Sequence, residues 1–325
     1  MNILVFGKDG QLGKAFKVVF DANRLNELHC ITYASRTECD LSNADTIANL
    51  LNQIKPNLII NAAAYTAVDK AEAEVDLAYA INAKAPEVMA MYAKLHDAIF
   101  LYYSTDYVFD GSKDGFYAED DQRNPLGTYG KSKAAGEEAI ESIFANLPAN
   151  SSAQYAVLRT SWVYGDGDNF IRTILRLAKE RESLKVIADQ CGVPTSATWL
   201  AEVSLGLVLD EHHHLKSITS GIYHAAPKGE TTWHALACHT VKVAIDAGAE
   251  LKLRPEAIQA IPASNFPMIA PRPINSRLDV KKIQHVFLGQ SNQSGVQLFD
   301  RLWRTQVTEY VNNYIRTGID MGATA

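Results

Sequence analysis

Three glycines, Gly7, Gly10 and Gly13, separate a short apolar run, Asn2 to Phe6, from a stretch with helical spacing at Leu12, Ala15, Phe16 and Val19. No other feature limits the fold of this chain so tightly. Glycine at a strand-to-helix junction permits a tight turn, close approach of backbone to a pyrophosphate, and close packing of helix on strand. The helix that follows presents free N–H groups and the positive end of its dipole to phosphate. Glycine triplets also occur in plain strand-to-helix turns. Placement in the first strand–helix unit turns the reading toward a dinucleotide site.

The alternation continues through the first half. Cys30 to Tyr33, Leu58 to Asn61, Ala98 to Tyr103 and Tyr155 to Arg159 are strand-like runs. Between them lie helical patterns over Thr46–Ile54, an Ala-rich stretch from about Val75 to Leu95, and Tyr129 to Phe144. Strands alternating with helices imply βαβ units and right-handed crossovers. The expected fold is α/β: a Rossmann-like doubly wound parallel sheet with a smaller C-terminal substrate-binding region. Residues 1–165 form the nucleotide-binding part, with a returning strand near 221–226. Residues 166–315, interleaved with it, form the second region, and 316–325 a tail. Phe170–Glu182 reads as an amphipathic helix, the Pro-rich stretch Pro255–Pro273 as an irregular loop, and Val296–Tyr314 as a final helix.

Composition narrows the function. Of 325 residues, 47% are hydrophobic and 21% charged, which excludes disorder. A net charge of −6 disfavours duplex DNA and anionic membranes, both of which need a basic footprint. No apolar run is long enough to cross a membrane. The first residues are too short an apolar run, without a basic leader, for a signal peptide. Cys30, Cys39, Cys191 and Cys238 form no CxxC pair, so neither zinc nor a disulfide framework is indicated and a cytoplasmic setting is expected. His212-His213-His214 reads as an exposed turn rather than a metal site, and no metal is expected.

Two local patterns carry chemistry. The second strand ends Tyr33-Ala34-Ser35-Arg36, with no acid before Glu38. An acid there binds the adenosine ribose 2′-hydroxyl of NAD, whereas a base accepts the 2′-phosphate of NADP. Arg36 therefore points to NADPH, with NADH admitted; its alternative is a solvated surface arginine. Tyr129 and Lys133 stand four apart and share a helix face. An ammonium beside a phenol favours phenolate and makes tyrosine a usable acid or base. About one such Y-x-x-x-K pair arises by chance in this composition. Thr105 lies just past a strand, where ligands sit in an open parallel sheet, and can reach the same reacting oxygen.

The G-x-x-G-x-x-G, Asn61-Ala-Ala-Ala64, Ser104-Thr-Asp106 and Tyr129-x-x-x-Lys133 occur in the order of the extended short-chain dehydrogenases/reductases. The segments Asn61 to Glu72, Tyr103 to Gly111, Arg159 to Gly165 and Arg272 to Leu278 make the chain similar to the dTDP-4-dehydrorhamnose reductase family. The resemblance implies a dTDP-linked 4-keto-6-deoxy sugar, reduction at C4 with NADPH, and a homodimer as one assembly. Tyr129 then matches the proton donor, Lys133 its partner on the nicotinamide ribose, and Thr105 the third catalytic residue. Gly10, Gln11 and Leu12 match pyrophosphate contacts, Asp40 and Leu41 adenine contacts, and Ala63, Ala64 and Tyr65 the cofactor-lining segment. Thr105, Asp106 and Trp162 match substrate contacts. Asn82 matches an asparagine that supports the lysine. Ala34 departs from relatives with Asp there, which again points to NADPH.

Each assignment has a plainer alternative. Asp106 is otherwise a turn cap and Trp162 a core aromatic. Asp69, Lys70 and Glu72 form either a solvated face or a contact with substrate or dimer. Arg272 and Arg277 each either clamp a diphosphate with a bidentate guanidinium or lie at the surface. Cys191 has no physical role in this reading. A related epimerase or dehydratase is the first rival, although dehydratases carry Thr-Asp-Glu where this chain has Tyr107. A non-catalytic reductase-like subunit is the second.

Overall fold

The computed structural model describes residues 1–148, 150–288 and 293–317; the expected tail therefore lies outside the described residues from 318 onward. Its centre is a six-stranded parallel sheet. Strands β1 (Asn2–Phe6), β2 (Cys30–Ala34), β3 (Leu58–Asn61), β4 (Ile99–Thr105) and β5 (Gln154–Thr160) are joined at one edge by Gly221–His224. The spatial order is Gly221–His224, β5, β4, β3, β1, β2. The doubly wound sheet expected from sequence is thus present. Phe6 pairs with both Ala34 and Asn61, so β1, β2 and β3 end level at their carboxyl ends. The order reverses between β1 and β3, and ligands bind at such switch points.

Strand side chains alternate between two apolar faces. Ile3 and Val5 pack with Phe16 and Phe20 of the helix Gln11–Ala22 and with Trp199, Leu200 and Val203 of the helix Ala197–Val208. Leu4 and Phe6 pack on the other face with Ile47, Leu51, Met89 and Ile140. Burial on both faces is what a parallel sheet requires. A third cluster gathers Ile171, Leu175, Val241, Trp303 and Val307 from the C-terminal helices. No helix among the described residues is long and apolar enough to cross a membrane.

Several elements differ from the sequence reading. The stretch 255–273 is not wholly irregular: Ile258–Ile261 pairs in parallel with Leu184–Ile187. The final helix is two, Gln293–Asp300 and Trp303–Arg316. The Ala-rich stretch runs as a helix but opens into a π-turn at Ala80–Lys84. The helix Ala197–Val208 escapes a periodicity search because it is apolar on nearly all sides, as a fully buried helix must be.

The glycine loop shows why its residues are fixed. Gly7 has φ +85°, and a Cβ there would lie 2.7 Å from the Ala63 nitrogen. A Cβ on Gly13 would lie 2.1 Å from the Gly7 carbonyl oxygen. Around Gly10 the nearest such atom is the same oxygen at 3.4 Å, an ordinary contact. Gly13→Ala should therefore destabilise the fold by ~3 kcal/mol or more, because only backbone can move aside. Gly10→Ala should melt within a few degrees of wild type. Thermal unfolding of both variants checks this, and equal losses would contradict it.

Candidate active site

The carboxyl ends of β1 to β4 open onto a cleft of about 830 Å³. Gly7, Gly10, Gln11 and Leu12 line it at the glycine loop. Arg36, Asp40 and Leu41 line it beyond β2, and Ala63, Ala64 and Tyr65 beyond β3. Thr105, Asp106, Tyr129, Lys133 and Trp162 complete the wall. Gly13 stands behind the loop, against Gly7. Gly10 is the N-cap of the helix Gln11–Ala22 without a side-chain cap, so the first-turn N–H groups remain open to a ligand.

The helix Thr128–Phe144 delivers Tyr129 and Lys133. Long-range contacts seat it. Glu72 accepts the Thr128 N–H at 2.8 Å and the Thr128 hydroxyl at 3.1 Å, capping the helix from 56 residues away. Gly136 lies so close to the π-turn that a Cβ would meet the Asn82 carbonyl oxygen at 2.2 Å. Glu137 holds Arg159 of β5 through two bonds of 2.9 and 2.7 Å, both side chains being buried. Asn82 donates to the Ser132 hydroxyl and to the Tyr65 carbonyl, each at 3.0 Å, and accepts the Tyr65 N–H at 2.9 Å. It thus ties the cofactor-lining segment to the helix rather than bonding Lys133.

Thr105 accepts the Tyr107 N–H at 3.2 Å and donates to Asp106 Oδ1 at 3.0 Å. Asp106 is buried, and burial pushes its carboxyl up to about 6 against hydrogen bonds from Ser276 and Thr105. Its Oδ2 has no hydrogen-bond partner among the described residues. Tyr107 packs edge-on against Tyr129, with ring centroids 5.4 Å apart.

One electrostatic expectation is corrected. The Tyr129 phenol is not lowered but pushed up to about 12, by burial, with the Thr105 hydroxyl pulling it down. Lys133 has close partners of its own. Its ammonium donates to the Tyr103 carbonyl and lies 4.0 Å from the centre of the Tyr102 ring. Burial pushes Lys133 itself down to about 7, opposed by Glu137.

Other assignments resolve. Arg272 does not line the cleft; it donates to Asp69 at 2.9 Å, while Asp69 also accepts the Ala270 N–H at 3.1 Å. Arg272 thus braces the Pro-rich loop and also bonds Tyr107, which lines the cleft. Within the charge run, Asp69 and Glu72 serve internal bonds, while Lys70 is exposed. Trp162 is no strand aromatic: it has φ +48° and stacks on Trp233 with ring centroids 3.7 Å apart. Trp233 also lines the cleft and was missed from sequence, where an isolated tryptophan 71 residues away carries no signal.

The chain matches the family described as RmlD substrate binding domain over residues 1–315. It is 42% identical over 289 residues, 88% of this chain and 92% of the relative, to the dTDP-4-dehydrorhamnose reductase of Salmonella typhimurium. The structure of such a reductase from Clostridium acetobutylicum superposes with TM-score 0.81 at 32% identity, covering 97% of this chain and 99% of that one. That of Bacillus anthracis, solved in complex with NADP, gives TM-score 0.76 at 31% identity, covering 92% and 98%.

Burial of Lys133 predicts a pH signature. Unfolded, the amine titrates near its ordinary value of about 10.4; folded, near about 7. Below about 7 both states are charged and the fold bears the whole burden of burying the ammonium. As pH rises above that point the folded state sheds its proton first, so stability climbs until the unfolded amine also titrates. Lys133→Met does not titrate. It should melt higher than wild type at neutral pH and below, and the difference should shrink toward about pH 10. Melting curves across that range test this; a difference that does not vary with pH would contradict it.

Proposed function

The chain belongs to the RmlD substrate-binding-domain family, as an NAD(P)H-dependent oxidoreductase of dTDP-4-dehydrorhamnose reductase type, and we propose that it reduces the C4 ketone of dTDP-4-dehydro-6-deoxy-L-mannose (dTDP-4-dehydrorhamnose) to dTDP-L-rhamnose with NADPH. The observation that carries the reading is the convergence of Thr105, Tyr129 and Lys133 on one wall of a cleft that begins at the glycine loop. A cytoplasmic place goes with it: all four cysteines are free, as a reducing compartment keeps them.

The cleft fits the cofactor. Space beside Gly10, which no neighbouring atom of the fold itself requires, leaves the backbone open to a pyrophosphate. Gly10, Gln11 and Leu12 would hold that group, Asp40 and Leu41 the adenine, Arg36 the 2′-phosphate, and Ala63, Ala64 and Tyr65 the middle of the molecule. Lys133 would hold the nicotinamide ribose. In reduced form the cofactor supplies hydride to C4.

The protein supplies the proton. A phenol pushed up to about 12 stays protonated at neutral pH, so Tyr129 enters the reaction as an acid. It gives its proton to the C4 oxygen as negative charge develops there. The Thr105 hydroxyl, close enough to draw the phenol downward, would reach the same oxygen. Asp106, with its free Oδ2, and Trp162 would hold the sugar. The dehydratase alternative needs a carboxylic acid where Tyr107 stands against Tyr129, and the ring there supplies none. The non-catalytic alternative leaves the intact Thr105, Tyr129 and Lys133 set without a task.

The direct test is NADPH oxidation with freshly made dTDP-4-dehydrorhamnose, run beside its epimers and UDP analogues. Activity confined to an epimer or a UDP analogue would redirect the substrate. Tyr129→Phe keeps the ring and removes the hydroxyl, so turnover should fall by on the order of 10²–10⁴ while NADPH binding survives. Thr105→Val should lose less. Near wild-type turnover in Tyr129→Phe would mean that another group delivers the proton.

A further inference from the structure

The end of β2 holds an anion that belongs to the chain itself. Glu38 folds back so that its Oε2 accepts the Ser35 backbone N–H at 2.8 Å and also the Ser35 hydroxyl. The Thr37 hydroxyl lies 3.2 Å from the same oxygen. Lys8, arriving from the glycine loop, places its ammonium 2.6 Å from Oε1. Four donors from two segments converge on one carboxylate. The Lys8 bond, then those from Ser35, hold Glu38 down at about 2, so it is charged throughout the working range of pH.

This cradle borders the dinucleotide cleft. Ser35 is buried and lines the cleft beside Arg36, at the strand end that meets the adenosine ribose. A backbone N–H, two hydroxyls and an ammonium are also the donors that a phosphate monoester takes. A carboxylate and a phosphate cannot share them. The phosphate brings about −1.5 to −2 charges at neutral pH, and like charges at contact repel. The Lys8 and Glu38 side chains are partly exposed, at 34% and 46%, so Glu38 can turn out into water without a buried-charge penalty.

We propose that Glu38 is an internal occupant of the 2′-phosphate subsite and sets the preference between NADPH and NADH. With the carboxylate in the cradle, it accepts the ribose 2′-hydroxyl of NADH. With the carboxylate turned out, Lys8, Ser35 and Thr37 join Arg36 in binding the 2′-phosphate of NADPH. The acid absent from position 34 is thereby supplied from position 38, and the preference for NADPH is held below what the basic residues alone would give. This proposal rests on the nicotinamide-dinucleotide reading above.

Fluorescence titration of NADPH and NADH into wild type, Glu38→Gln and Lys8→Met tests it. Glu38→Gln keeps the shape and removes the charge. It should tighten NADPH binding by about fivefold, the order of one exposed charge contact, and leave NADH unchanged or weaker. Lys8→Met should weaken NADPH more than NADH. An unchanged ratio of the two affinities in Glu38→Gln, with both dinucleotides still bound, would overturn the role of Glu38 alone. Failure of wild type to bind either dinucleotide would overturn the cofactor reading and this proposal together.

Discussion

The site depends on how closely the helix Thr128–Phe144 presses against the backbone around Asn82 and β4. Gly136 meets the Asn82 carbonyl, where a methyl group would find the oxygen at 2.2 Å. Asn82 reaches the other way to Ser132 and Tyr65. That contact brings Lys133 within reach of the Tyr103 carbonyl and sets Tyr129 beside Thr105. The π-turn at Ala80–Lys84 belongs to the same device. It lets one helix present a carbonyl, an amide and a tight groove at a single level, and such turns gather at functional sites. Tyr129 and Lys133 both ride on this helix, so its position sets where the two side chains meet the cleft.

Much of this was legible because it is local. The glycine loop, the strand ends and the four-residue step from Tyr129 to Lys133 are written in adjacent residues, and the sheet follows from alternation alone. What was not legible depends on distant partners. Glu72 looks like one charge among several, yet it caps a helix 56 residues on. Asp69 and Arg272 each have an ordinary surface reading until they meet across the loop. The Trp162–Trp233 stack joins two residues that no period relates. The error over Tyr129 has the same origin. A four-residue spacing says that Lys133 shares a face with the phenol, but the direction of its ammonium is decided by the Tyr103 carbonyl and the Tyr102 ring.

Glu137 illustrates how the site is coupled to its supports. Its carboxylate is buried, which would be costly alone, and the fork of Arg159 neutralises it through two bonds. Arg123 adds a third contact at 3.3 Å. The helix is thereby clamped to β5 one turn beyond Lys133. The same carboxylate favours the charged form of Lys133 against burial. Support and tuning therefore come from a single side chain, so a change made for stability at Glu137 also changes the amine.

Burial acts on the two titrating groups in the same sense. It lifts Tyr129 to about 12 and lowers Lys133 to about 7, so each is driven toward its neutral form. For the phenol, neutral means protonated. A dehydrogenase working toward the ketone needs a base at this position, whereas a reductase needs a proton to give. A phenol that keeps its proton at neutral pH suits the second role. Thr105 opposes the effect of burial and so makes the phenol a readier donor to a substrate oxygen as that oxygen gains negative charge. One seating of the helix Thr128–Phe144 therefore places both groups and sets the protonation state in which each meets a ligand.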